Sequence, residues 1–312
     1  MRTDLERRLR NRQTEDGYLF PDYEDYCFAN VPDTVATVLG ADDVVDRPLP
    51  HDVLADLGDD YDRVLVVVVD GFGLEFWNRH DHPLLERLEA AGTVSPLTAT
   101  YPSETAAAMT TFHTGRLPAS HGVLGWDVYD PIDEASYEAF TVDVKAGDES
   151  VDHDLQDVFE GPPIYPALSR AGIDCHHVVP FEETYDGAVA HTYDLDLEAG
   201  PATESDGVEA DPTTELDSFE ATVESAFDAA DDPAYLYAYL PQIDSVAHAS
   251  GTHSDAYRET VGATFDALER ALSRIGSDDG SEAGETLLVL TADHGHVDTV
   301  PEHNIDLETD AN

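Results

Sequence analysis

Aspartate and histidine recur where apolar runs stop. The run Val64-Leu65-Val66-Val67-Val68-Val69 ends in Asp70-Gly71, and Leu287-Leu288-Val289-Leu290 leads through Thr291-Ala292 to Asp293-His294-Gly295-His296. Tyr235 to Leu240 is followed by Asp244 and His248, with Gly251 beyond. A fourth segment, Thr100-Tyr101-Pro102-Ser103-Glu104-Thr105, offers hydroxyls ahead of a small-residue stretch that closes on Thr114-Gly115. Carboxylate oxygens and imidazole nitrogens are the donors that zinc and similar divalent ions take. Asp70 alone reads equally well as a helix cap or as a metal ligand. Two Asp/His pairs and a hydroxyl at a helix start make it one member of a constellation.

Uninterrupted apolar runs such as Val64–Val69 are how strands covered on both faces read, and that pattern belongs to parallel sheets. Open α/β sheets place their ligands at the carboxyl edge, where Asp70 and Asp293 fall. Val31 to Gly40 reads as a capped helix stopped by glycine, Leu84 to Ala91 as a helix stopped by Gly92, and Thr93 to Leu97 as a short strand. Thr105 to Phe112 is predicted helical, as are Pro166 to Ala171, Leu216 to Ala229 and Ala256 to Ile275, with Cys175 to Val179 a further strand. Strands alternating with helices predict an α/β fold with a mainly parallel central sheet covered on both faces. Residues 1–312 are expected to form one catalytic domain. Residues 127–161, acidic and irregular, are expected to be an inserted lid, and residues 195–215 a surface loop. No internal repeat is present.

The set Val69-Asp70-Gly71, Thr105, Thr114-Gly115, Pro118-Ala119-Ser120-His121-Gly122, Asp244 with His248, and Asp293-His294-Gly295 resembles the alkaline phosphatase superfamily, in its nucleotide pyrophosphatase/phosphodiesterase-like branch. The pieces stand in the family's order over about residues 64–296. The resemblance implies an alkaline-phosphatase-like fold and two divalent ions, zinc first, with manganese or magnesium as alternatives. One ion would be held by Asp70, Thr105, Asp293 and His294, the other by Asp244, His248 and a further histidine. Two such ions suit phosphoryl transfer because they neutralise the phosphate oxygens and stabilise attacking and leaving groups. A threonine hydroxyl needs that activation to be a nucleophile, and a helix N-terminus favours both the alkoxide and the phosphate.

Two threonines compete for the nucleophile's place. Thr100 sits in Thr100-Tyr101-Pro102-Ser103, similar to the family's Thr-Phe-Pro-Asn stretch. Thr105 lies ten residues before Gly115, the family's interval between nucleophile and glycine. A helix cannot absorb five extra residues without rotating its contacts, so Thr105 is preferred. The family's last ligand, a histidine beside glycine near the C-terminus, has no counterpart up to Asn312. His303 is the candidate and His296 the other substitute. A natural chain continuing past Asn312, or a weakly held second ion, would also account for the gap. Ala108 stands where the family's phosphodiesterases carry a phosphate-contacting Asn, which leaves the diester preference open. The remaining histidines are read as structural: His121 orders its turn, and His176 and His177 alternate on a strand, so that at most one faces the core. Arg116 is a cation near the site, read equally as a phosphate contact or a surface residue.

The composition narrows the partners. Lys plus Arg total 15 against 67 Asp plus Glu, a formal charge of −52, and Lys145 is the only lysine. That field repels nucleic acid and anionic membranes. Its even spread resembles proteins of a salt-rich cytoplasm, where screening removes most self-repulsion. Cys27 and Cys175 make no disulfide framework, and no segment reaches the length of a membrane span or has the form of a signal peptide. The expectation is a cytoplasmic hydrolase of small phosphate esters or nucleotides, cleaving phosphodiester or pyrophosphate bonds through a phosphothreonine. A phosphomonoesterase, phosphonate hydrolase or phosphomutase on the same frame, or a non-catalytic member that binds a nucleotide or partner, are the alternatives.

Overall fold

A computed structural model of the chain describes residues 1–44, 46–55, 57–58, 61–131, 134–140, 144–146, 158–180, 185, 189–195, 216, 218–275 and 285–297. Strand β1, Arg63–Val69, is buried at every position. Its β-branched side chains fit a pleated surface packed on both sides. Further along the chain come β2 (Asp127–Asp130), β3 (Ala135–Glu138), β4 (Val144–Ala146), β5 (Asp174–Val179), β6 (His191–Asp194), β7 (Ala234–Leu240) and β8 (Thr286–Thr291). Five of these form a sheet in the order β6-β5-β7-β1-β8, and every pairing in it is parallel. The predicted α/β fold with a mainly parallel central sheet is therefore present.

Alternation along β1 divides the core in two. Val64, Val66 and Val68 pack with Val35 of the helix Val31–Val38, Met109 and Phe112 of the helix Thr105–Thr114, and Leu168. Leu65, Val67 and Val69 pack instead with Val223 and Phe227 of the helix Phe219–Ala229 and with Val261, Phe265 and Leu268 of the helix Asp255–Ile275. A period of two against covered faces is what makes the strand apolar throughout. Registers pair Val69 with Leu240 and Val68 with Thr291. The carboxyl ends of β7, β1 and β8 are consequently flush, and the residues that follow them emerge side by side.

Three expectations need correction. Thr93 to Leu97 forms no strand; the Arg2 N–H donates to the Val94 carbonyl at 2.9 Å and Thr98, just beyond, makes an isolated bridge with Cys27, and Pro96 has no N–H to extend the pairing. The stretch beginning at 127 is not irregular where it is described, because β2, β3 and β4 make an antiparallel sheet. His176 and His177 are both buried, since β5 lies inside a sheet with cover on each face. His176 is 2.7 Å from Asp174 and 3.2 Å from the Tyr193 hydroxyl. His177 packs edge-on against Tyr165 and Tyr237. The expected loop 195–215 lies outside the described residues apart from Leu195. Cys27 and Cys175 are buried free thiols. No helix among the described residues is long and apolar enough to cross a membrane.

His121 ends the short helix Pro118–His121 before Gly122, whose φ of 87° places it in the left-handed region. Its Nδ1 accepts from the Val123 N–H at 3.1 Å, so Nε2 carries the proton and faces Thr111 Oγ1 at 3.0 Å. Burial, with the charge of Arg116 adding to it, lowers the imidazole from 6.5 to about 4. A folded-state value below the unfolded one means stability that is present above pH 6.5 and lost as the pH falls through about 4. Replacing His121 by Gln should flatten that part of the stability-versus-pH curve, measured by urea unfolding between those limits. A second anchor is Arg63, which donates to the Phe227 and Ala230 carbonyls at 2.7 and 3.0 Å and pairs with Asp232. It thus ties the C-terminal end of the helix Phe219–Ala229 to β1. Arg63→Met should cost about 2–3 kcal/mol in urea unfolding, because it leaves buried carbonyls unpaired.

Candidate active site

The flush strand ends assemble the site. The Asp70 N–H continues the β1–β7 ladder by donating to the Leu240 carbonyl at 3.0 Å. Gly71 then turns the chain with φ of 69°. Its N–H donates to Asp293 Oδ1 at 3.2 Å, and the His294 N–H donates to the same oxygen at 2.9 Å. The turns after β1 and β8 cross closely: a Cβ on Gly73 would lie 2.8 Å from Gly295 Cα. These contacts place Asp70, Asp293 and His294 within ligand distance of one another, all three donor atoms lying within 4.8 Å.

Thr105 is the first residue of the buried helix Thr105–Thr114. Glu104 caps that helix by accepting from the Ala107 N–H at 3.2 Å, so the Thr105 hydroxyl is not consumed as a cap. Thr105 Oγ1 lies 2.9 Å from His294 Nε2. His294 Nδ1 is 3.2 Å from the Gly295 carbonyl, which only accepts. The proton of the neutral imidazole therefore belongs on Nδ1, and Nε2 presents a lone pair to the site. The helix ends at Gly115, whose φ of 66° supplies the left-handed cap. Thr100 is also buried but points elsewhere: its hydroxyl donates to the Pro102 carbonyl at 2.9 Å.

Asp244 lies in the first turn of the helix Gln242–Ser250 and His248 one turn later. Asp244 Oδ1 is 3.5 Å from His248 Nε2, 4.0 Å from His294 Nε2 and 3.0 Å from His296 Nε2. His303 lies outside the described residues. Ala108 is fully buried and offers no polar group. Arg116 folds back against Gly161, where a Cβ would meet its guanidinium.

The donor set fits divalent cations. Asp70 Oδ1, Asp293 Oδ2 and Asp244 Oδ1 are buried without hydrogen-bond partners. Their ion-pair neighbours are histidines, with no Lys or Arg among the described residues. Burial, then the charges of Asp293 and Asp244, push the Asp70 carboxyl well above the ordinary range. Asp244 moves the other way: burial raises it, but His296, His248 and His294 together outweigh that and lower it. Buried carboxylate oxygens without hydrogen bonds, standing beside imidazole nitrogens, are what a hard or borderline cation would satisfy.

One contact was not anticipated. Tyr239 of β7 donates its hydroxyl to Asp70 Oδ2, and burial together with Asp70 and Asp293 holds that phenol well above its usual range. This fixes one carboxylate oxygen and leaves the other facing the site. Tyr235, Tyr237 and Tyr239 alternate along a wholly buried strand, and a buried phenol needs a partner; that alternation was the available signal.

The fold has counterparts among solved structures. The chain resembles murine ectonucleotide pyrophosphatase/phosphodiesterase 5 at 21% identity and a TM-score of 0.56, over 78% of this chain and 60% of that one. An inactive threonine-to-alanine form of the murine protein in complex with AMP matches at 20% identity and a TM-score of 0.56, over 79% of this chain and again 60% of that one. The chain thus spans about three fifths of the murine protein's length, and the likeness is one of fold. Residues 64–312 match the family described as type I phosphodiesterase/nucleotide pyrophosphatase. That match takes in the greater part of the sequence, β1 and β8 included, and the chain belongs to that family.

Proposed function

We propose that this chain is a metal-dependent phosphohydrolase that cleaves phosphodiester or nucleotide pyrophosphate bonds through a phosphothreonine at Thr105. The observation that carries this reading is the Thr105 hydroxyl, 2.9 Å from His294 Nε2 at the start of a buried helix and beside unpaired buried carboxylates. Asp70, Thr105, Asp293 and His294 would hold one cation, and Asp244 and His248 would contribute to a second. When bound, two such ions would neutralise phosphate oxygens and lower the pKa of the hydroxyl. Zinc suits the mix of oxygen and imidazole donors, with manganese or magnesium as alternatives.

The protein groups do the positioning. Thr105 Oγ1 attacks phosphorus, the bond to the leaving alcohol or nucleotide breaks, and water then cleaves the Thr105–phosphate ester. The start of the helix Thr105–Thr114 favours the anionic phosphoryl group through its dipole. Tyr239 holds Asp70 in place, and the Gly71 and His294 amides hold Asp293. The AMP complex of the murine protein supports a nucleotide as one substrate class. Ala108 supports the second reading, a phosphomonoesterase, phosphonate hydrolase or phosphomutase, because this helix position supplies no hydrogen bond to a diester.

Assays of bis- and mono-nitrophenyl phosphate with added zinc or manganese, at high salt to suit the acidic surface, separate these readings. A diesterase hydrolyses the first preferentially, a monoesterase the second, and a mutase neither to any extent. Thr105→Ala should lose roughly 10³-fold or more of turnover, while Thr100→Ala should stay within about twofold, its hydroxyl bond being local. Full activity in Thr105→Ala would remove the assignment. Tyr239→Phe should weaken cation binding by roughly 10–100-fold in titration calorimetry, with turnover recovered at higher metal concentration.

A further inference from the structure

We propose that His296, through Nε2, is the third protein ligand of the second cation, beside Asp244 and His248. This rests on the two-cation reading above and supplies the donor that His303 was expected to give.

His296 Nε2 and Asp244 Oδ1 lie 3.0 Å apart as a buried ion pair, and neither atom has a well-oriented hydrogen bond. Buried polar atoms without a well-oriented hydrogen bond call for an explanation, and a cation shared between them is one. His248 Nε2 is 3.5 Å from the same Asp244 oxygen, and the His248 and His296 rings are 5.5 Å apart. Donors on a tetrahedral zinc with bonds of about 2.0–2.1 Å stand about 3.3 Å from one another. The two observed separations bracket that value.

The surroundings reserve this place for the ring. A Cβ on Gly71 would stand 2.6 Å from His296 Nε2 and 3.1 Å from Asp244 Oδ1, so any other residue there would fill the space between the donors. Phe76 meets the ring edge-on at 6.1 Å. His294 and His296 are two residues apart in the segment leaving β8, with rings 5.7 Å apart. One strand end would thereby serve both centres, His294 at the first and His296 at the second.

The test is metal content of the full chain, stripped with a chelator and dialysed against Zn²⁺ or Co²⁺. Wild type should take up two equivalents, His296→Ala one at the same free metal, and His303→Ala two. The second equivalent should weaken by at least about 100-fold in His296→Ala. His296→Cys loaded with Co²⁺ should gain a thiolate-to-cobalt charge-transfer band absent from wild type, a signal that a purely structural histidine would not yield and that guards against a misfolded alanine variant. Two equivalents of unchanged affinity in His296→Ala, no new band in His296→Cys, or loss of the second equivalent in His303→Ala instead would overturn the inference while leaving the two-cation reading intact. Wild type binding fewer than two equivalents would overturn that reading and the inference with it.

Discussion

Three carboxylates stand close together at one edge of the sheet in this protein, and the rest of the site follows from that. Asp70, Asp244 and Asp293 each keep an oxygen buried and without a hydrogen bond. Two unit charges 4 Å apart repel by about 4 kcal/mol at an effective dielectric of 20, and burial adds to that cost. Burial first, then the charges of Asp293 and Asp244, push the Asp70 carboxyl upward. A pocket built this way is satisfied by protons or by cations, and the neighbouring imidazoles, with His294 presenting Nε2, suit cations.

Holding like charges together requires that each be tied from outside. Tyr239 ties Asp70, and two backbone amides tie Asp293. Those ties exist because β7, β1 and β8 run parallel with their carboxyl ends level. A slip of one residue would turn Asp70 to the opposite face of the sheet. Gly71 and Gly73 then let the turn pass where no Cβ fits. The helix Thr105–Thr114, small-residued and buried along its length, brings a hydroxyl to the same edge.

The surface poses the opposite problem. A formal charge of −52 repels any approaching anion, a phosphate ester included. On the proposed reading, local positive potential would come from the helix start and from the cations the site would hold, and salt shortens the reach of the surface repulsion. On that reading the acidic exterior makes cations in the interior more necessary.

Much of this was legible in the linear chain. Uninterrupted apolar runs announce strands, which is why β1, β7 and the half-buried edge strand β8 were readable, and polar residues at their ends mark the edge where ligands bind. The four-residue interval of Asp244 and His248 fits one helix face, and the interval to Gly115 separated Thr105 from Thr100. The strand expected at Thr93–Leu97 failed because pairing depends on a partner that local pattern does not contain. His176 and His177 were misjudged because alternation says which faces differ, not whether both are covered. Residues far apart in the chain decide the rest: Tyr239 donates to Asp70 across 169 positions, and Gly71 leaves room for His296. Residue type and spacing determined which groups could be donors. Only packing decided which of their oxygens and nitrogens stay unpaired and converge, because desolvation and distance are set by the residues that surround a group in space.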